Sequence, residues 1–306
     1  MNITLTGATG FVGGRLLARL VADGHRVHVL GRRRGSSLAA SVAFSEWSAA
    51  SEPPPESLAG ADAVIHLSGE PVAQRWTAAA KARIRNSRVE GTRLLVNSLA
   101  RQTRRPAVFV CASAIGIYGS RGDEILTETS AAGQGFLAEV VTDWESAAQA
   151  AEPLSIRVVS LRLGVVLGRG GALAKMLLPF RLGVAGRIGS GQQWMSWIHI
   201  ADAVALILFA LENSALRGPM NATSPQPVTN LDFTRELAAV LHRPTIFPVP
   251  PVALKLLFGE MASMLLDSER VLPHAAEAAG FRFHYPELRP ALDEILAAGT
   301  SASEAK

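Results

Sequence analysis

The first thirteen residues, MNITLTGATGFVG, constrain the chain more than any other stretch. Ile3–Thr6 reads as a short strand, and Phe11–Ala22 has the apolar spacing of an amphipathic helix. Between them lies Gly7-Ala8-Thr9-Gly10-Phe11-Val12-Gly13. In such a unit the three glycines have separate jobs. Gly7 permits a tight turn, Gly10 lets a pyrophosphate approach the backbone, and Gly13 lets the helix pack on the strand. The helix N-terminus adds unpaired amides and a dipole that favours an anion. Glycines also make ordinary structural loops. The strand before this loop and the helix after it favour a dinucleotide.

The same rhythm continues to about residue 165. Strands are predicted at Val27–Leu30, Val42–Trp47, Ala63–Leu67, Ala107–Ala112 and Ile156–Leu161, with helices at Ala78–Arg101 and Phe136–Ala151. Strands alternating with helices imply parallel pairing through right-handed crossovers. The expected class is therefore α/β, a doubly wound parallel Rossmann sheet over residues 1–167. Beyond it the chain is glycine-rich over Gly170–Gly191, then helical at Ala201–Leu211, Leu231–Leu241, Val252–Leu266 and Leu288–Ala298. These features predict a smaller C-terminal α+β region on the substrate side, covering 168–199 and 213–300. The helix at 200–212 is expected to return to the first domain, and 301–306 to form a flexible tail.

Composition narrows the classes. The chain has 306 residues, 48% hydrophobic and 18% charged, which suits a compact core plus an appendage. The net charge of +4 comes from dispersed cations, so no nucleic-acid partner is expected. The one cysteine, Cys111, lies in an apolar run, which excludes an internal disulfide and a multi-cysteine metal site. The histidines have no metal-ligand spacing, and no metal is predicted. Ala203–Leu211 is the longest uncharged apolar stretch, far short of the ~20 residues of a membrane span. Glycines interrupt the N-terminal apolar run where a signal peptide would need continuity. A cytoplasmic protein without a membrane partner is the expectation.

The end of the second predicted strand selects the cofactor. An acidic residue there usually holds the ribose hydroxyls of NAD, whereas this chain has Gly31-Arg32-Arg33-Arg34. A guanidinium suits the 2′-phosphate of NADP through charge-assisted hydrogen bonds. A solvated basic loop is the plainer alternative. Leu67, Ser68 and Gly69 end the strand at Ala63 with small or apolar groups that can line the adenosine side. His66, inside that strand, reads as a core histidine.

Taken together, GATGFVG, DAVIHLSGE and WIHIADAV resemble an extended short-chain dehydrogenase/reductase. SGEPVAQRWTAAAKARIRNSRVEGTRLLV, ASAIGIYGSRGDEILTE, FLAEVVTDWESAA and RLGVVLGRGGALAKMLLPFRLGVAGRIGSG sharpen the resemblance. With the segment from PVPPVALKLLFGEMA to FRFHYPELRPAL, they are similar to an atypical epimerase-like branch with a small C-terminal domain of unknown function. The resemblance implies NADP(H) as cofactor, held by the loop residues Gly7, Thr9, Gly10, Phe11, Val12 and Gly13. It implies Arg32 near the 2′-phosphate and Leu67 and Ser68 at the adenosine ribose, with Gly31 and Gly69 also among the cofactor-binding residues. It further implies that Arg88 reaches the cofactor and that Val166 faces the nicotinamide end. Homodimers are frequent in this kinship.

One departure is plain. The family uses a serine with a Tyr-x-x-x-Lys pair, the lysine lowering the tyrosine pKa for acid–base work. The corresponding helix, Phe136 to Glu145, holds neither tyrosine nor lysine. Ser113 follows a predicted strand where the family places its substrate-binding serine. Tyr118 lies in a Gly-containing loop expected at the mouth of the site. These two are the catalytic candidates, with packing or binding as the alternative for Tyr118. Glu70, Glu139 and Asp143 are further acid–base candidates or solvated charges. Arg162, Arg169, Lys175, Arg181 and Arg187 either read a diphosphate or sit on the surface. Trp194 and Trp197 wall a cleft or pack between domains. The expected function is an NADP(H)-dependent oxidoreductase or epimerase-like enzyme acting on a small carbonyl or hydroxyl substrate, such as a sugar nucleotide. The alternative is a non-catalytic NADP(H)-binding sensor.

Overall fold

The computed structural model describes residues 1–35, 38–245 and 247–297, so the predicted tail lies outside the described residues. Strand β1 (Asn2–Thr6) leads into helix α1 (Phe11–Ala22), and β2 (Arg26–Gly31) and β3 (Ala43–Glu46) follow. Next come β4 (Ala63–His66), α2 (Ala78–Ala100), β5 (Val108–Ala114), the short β6 (Ile125–Leu126), α3 (Phe136–Gln149) and β7 (Arg157–Leu163). The second part opens with β8 (Val165–Leu167), α4 (Gly171–Arg181), β9 (Trp194–Met195) and β10 (Trp197–His199). It continues through α5 (Ile200–Glu212), β11 (Gly218–Ala222), β12 (Val228–Thr229) and α6 (Asn230–Leu241). It ends with α7 (Pro251–Phe258), α8 (Ser263–Leu266), β13 (Arg270–Val271), α9 (His274–Ala278) and α10 (Leu288–Ala297).

Seven strands form one sheet in the order β11-β7-β5-β4-β1-β2-β3, and every pairing is parallel. The central strands are buried along nearly their whole length, as Ala63–His66 and Val108–Ser113 illustrate. Continuous apolar runs of this kind are required when helices cover both faces. One face carries α1 and α5, whose Leu16, Leu20, Leu206 and Ile207 pack on Ile3, Leu5 and Val110. The other carries α2 and α3, with Val89, Leu95 and Trp144 against Val64 and Phe109. The strand order reverses between β1 and β4. There the carboxyl ends of neighbouring strands diverge and leave a crevice, the usual ligand position in open α/β sheets.

A smaller core joins Leu173 and Phe180 of α4, Phe233 and Leu237 of α6, and Leu288 and Leu292 of α10 around Trp197. Three differences from the sequence reading stand out. Gly218–Ala222 pairs with β7 as the seventh strand, so the predicted boundary at 213 cuts through the first domain. Residues expected as a glycine-rich loop contain α4. The helix predicted over Val252–Leu266 breaks at Gly259, whose φ of +62° no right-handed helix can include.

Candidate cofactor and substrate site

At the crevice, Gly7 takes φ +75°, and a Cβ there would lie 2.7 Å from the carbonyl carbon of Leu67. A Cβ on Gly13 would lie 2.1 Å from the Gly7 oxygen. Both positions therefore need glycine, and together they bring the loop, α1 and the end of β4 into direct contact. Gly10 is the N-cap of α1, with no side-chain cap and no acidic residue in the first turn. The first amides of α1 are left for an anion. Thr9 and Gly10 are exposed, and Phe11 and Val12 are half-buried.

The Phe11 ring is held from the second part of the chain. Cβ atoms on Gly168, Gly170 and Gly171 would all lie within 3.0 Å of it. The N-terminus of α4 is thus drawn beside that of α1, a contact with no local sequence signal.

Thr6 organises the facing strand end. Its hydroxyl oxygen accepts from the amides of Leu67, 3.1 Å away, and Ser68, 3.2 Å away, and meets His66 Nδ1 at 2.8 Å. With both acceptor directions used, the hydroxyl proton goes to Nδ1, and the imidazole is neutral with its proton on Nε2. Burial, with the positive charge of Arg88 nearby, pushes the His66 pKa down to about 4. Ser68 Oγ is buried without a hydrogen-bond partner. Such an orphaned hydroxyl beside a glycine cradle fits a ribose, so the residues present suit a dinucleotide.

Arg88 plays a supporting part here. Its Nη1 donates to the Glu70 carbonyl at 2.9 Å, and Ser87 Oγ accepts from the Glu70 amide at 2.9 Å. Its guanidinium also lies against Gly69 and over the Trp144 ring. Burial pulls the Arg88 pKa down to about 10. The side chain thus clamps the 69–70 loop of the crevice. Arg32, just past β2, is exposed, whereas Arg34 donates to the carbonyls of Ala39, Ala40 and Val42. Gly31 and Val166 are half-buried, and Val166 sits in β8 opposite Ile198.

The two catalytic candidates occupy different surroundings from those expected. Tyr118 is 0% exposed, not at the mouth of the site. Its hydroxyl donates to Asn221 Oδ1 at 2.7 Å and accepts from Arg162 Nη1 at 2.8 Å. Burial pushes its phenol above the usual value. A phenol so enclosed holds a network together and has no free path to a substrate. Ser113, 3% exposed, donates to Glu145 Oε1 at 2.5 Å. Arg162, read as a diphosphate or surface cation, is instead buried against Glu145. Asp143 pairs with Arg85, and both border an open groove of about 470 Å³ shared with Glu139. Glu70 accepts from Gln74 at 3.2 Å.

Sequence reasoning gave no sign of a contact between segments 194–196 and 268–271. Segment 268–271 is stitched to 194–196: Ser196 Oγ donates to the Glu269 carbonyl at 2.7 Å and accepts from the Val271 amide at 2.9 Å. The Val165 amide in turn donates to the Ser196 carbonyl, 2.9 Å away. Burial, with Asp267 nearby, pushes the Glu269 carboxyl up to about 8. No periodicity or motif marks the position. Among the described residues, no group of three or more His, Cys, Asp or Glu is placed to hold a metal ion.

Fold and crevice define a dinucleotide-binding Rossmann protein. Residues 3–222 match the NAD dependent epimerase/dehydratase family, and residues 249–295 match a domain of unknown function, DUF1731. The chain belongs to that epimerase/dehydratase family. It is 39% identical to epimerase family protein YfhF of Bacillus subtilis (strain 168) over 298 residues, 97% of this chain and 98% of that one. Among solved structures, human epimerase family protein SDR39U1 (isoform 2) with NADPH superposes at a TM-score of 0.87 and 35% identity, covering 97% and 99% of the two chains. A nucleoside-diphosphate sugar epimerase from Corynebacterium glutamicum matches at 34% identity and a TM-score of 0.80, covering 100% of this chain and 62% of that one.

Proposed function

We propose that the chain binds NADP(H) and works as an oxidoreductase or epimerase-like enzyme of the extended short-chain dehydrogenase type. Its substrate is a small carbonyl or hydroxyl compound of the sugar-nucleotide kind, and its location is cytoplasmic. The observation that carries this reading is the glycine cradle at the β1–β4 reversal with a cation, not a carboxylate, beyond β2. The relative solved with NADPH supports the choice of cofactor. Bound there, NADP(H) would supply hydride exchange at its nicotinamide. Gly7, Gly10 and Gly13 would hold the pyrophosphate through the N-terminus of α1, Ser68 a ribose, and Arg32 the 2′-phosphate. Thr6 and Arg88 fix the loop that borders the cofactor.

The second reading, a non-catalytic NADP(H) sensor, draws on the buried, fully bonded state of Ser113 and Tyr118. Titration with NADPH and NADH separates the claims. Tight NADPH binding, weakened about tenfold or more by Arg32→Ala with NADH unaffected, supports the cofactor assignment. Undetectable or unchanged NADPH binding overturns it. NADPH oxidation on some member of a carbonyl and sugar-nucleotide panel supports the enzyme. Tight binding with no turnover on any member leaves the sensor.

A further inference from the structure

Among the described residues, nine of the twelve exposed large apolar side chains fall within 178–184 and 247–264. These two stretches meet. A Cβ on Gly186 would lie 1.8 Å from the Phe247 oxygen, Ile188 bridges to Val249, and the Gly189 amide donates to the Val249 carbonyl at 2.9 Å. The turn that follows α4 therefore lies beside the segment that leads into α7. Within α7 only Leu254 is buried, while Leu256 is 76% exposed and Leu257 67%. A helix apolar on most of its sides is ordinarily covered by something.

Charge says what covers it. Residues 170–190 and 242–264 contain one acidic residue, Glu260, which is paired with Lys81. They carry Lys175, Arg181, Arg187, Arg243 and Lys255, all exposed. A second copy docking the same face would oppose like charges. An anionic, apolar boundary complements the face on both counts, with aliphatic side chains entering the acyl edge and cations meeting headgroups. We propose that α7 and the end of α4 form a peripheral docking face for an anionic lipid bilayer.

The test is sedimentation of the full chain with vesicles of equal parts phosphatidylcholine and phosphatidylglycerol, and with phosphatidylcholine alone. The expected result is binding to the mixed vesicles only, diminishing with added salt. Leu256→Asp with Leu257→Asp should lower that binding about tenfold or more, as should Arg243→Glu with Lys255→Glu, while both leave NADPH affinity and thermal unfolding unchanged. No binding to the mixed vesicles overturns the proposal, as does equal binding to the neutral ones or binding indifferent to the Asp substitutions. Lipid-free self-association that the Asp substitutions abolish also overturns it, because the occupant is then another copy of the chain.

Discussion

Arg162 grips Glu145 through two hydrogen bonds of 2.8 Å, one to each carboxylate oxygen, with the side chains only 8% and 7% exposed. Ser113 hangs from the Glu145 end and Tyr118 from the Arg162 end. Removing one member leaves the other charge buried and uncompensated. Arg162→Met or Glu145→Gln should each lower unfolding stability by about 3–5 kcal/mol, measured by chemical denaturation. The double variant should recover part of that loss, since no bare charge remains. If the single variants lie within about 0.5 kcal/mol of wild type, the pair is not structural.

Tyr118 bonds Asn221 across the seam between its own loop and β11. Tyr118→Phe keeps the ring but abandons two buried partners. We expect a loss of about 1–3 kcal/mol in stability and no change in NADPH affinity or in turnover per folded molecule. Turnover that collapses while folding and NADPH affinity hold would make the phenol a proton donor after all.

Much of the first domain was legible because its signals are local. The strand–glycine–helix unit at Gly7–Gly13 and the apolar run at Ala63–His66 show themselves within a few residues. What escaped was set by distant contacts. Gly218-Pro219-Met220-Asn221-Ala222 has neither alternation nor high strand propensity. It becomes a strand because it lies at the sheet edge, where a proline is tolerated, and pairs with β7. Gly168, Gly170 and Gly171 carry no signal of a partner, yet their missing side chains make room for Phe11. Tyr118 looked accessible because nothing near it in sequence announces Asn221 or Arg162. The contact between segments 194–196 and 268–271 was invisible for the same reason.

Within the glycine loop, two substitutions should part company. A Cβ on Gly13 meets the Gly7 oxygen at 2.1 Å, whereas one on Gly10 sits 3.1 Å from it. Gly13→Ala is expected to cost about 1–3 kcal/mol of stability through overpacking, and NADPH binding with it. Gly10→Ala should stay within about 1 kcal/mol of wild type but weaken NADPH about tenfold or more, because its methyl enters the space a pyrophosphate needs. Fluorescence titration beside denaturation reads both quantities. Equal stability losses with unchanged affinity in Gly10→Ala would mean that the loop is only a turn.

The His66–Thr6 bond carries a pH dependence whose sign is fixed by burial. His66 has an ordinary pKa of 6.5 when unfolded and about 4 in the folded protein. Between these values the unfolded chain binds a proton that the native state refuses. Stability therefore falls as pH drops from 6.5 toward 4, and the penalty is fully developed below the folded pKa. From about pH 7 to about pH 5 this one group should remove about 2 kcal/mol. His66→Leu eliminates the titration, so the difference in unfolding free energy between variant and wild type should change by that amount across the same interval. Parallel pH profiles for the two proteins would show that the imidazole titrates alike in the folded and unfolded chain, and that burial does not lower its pKa.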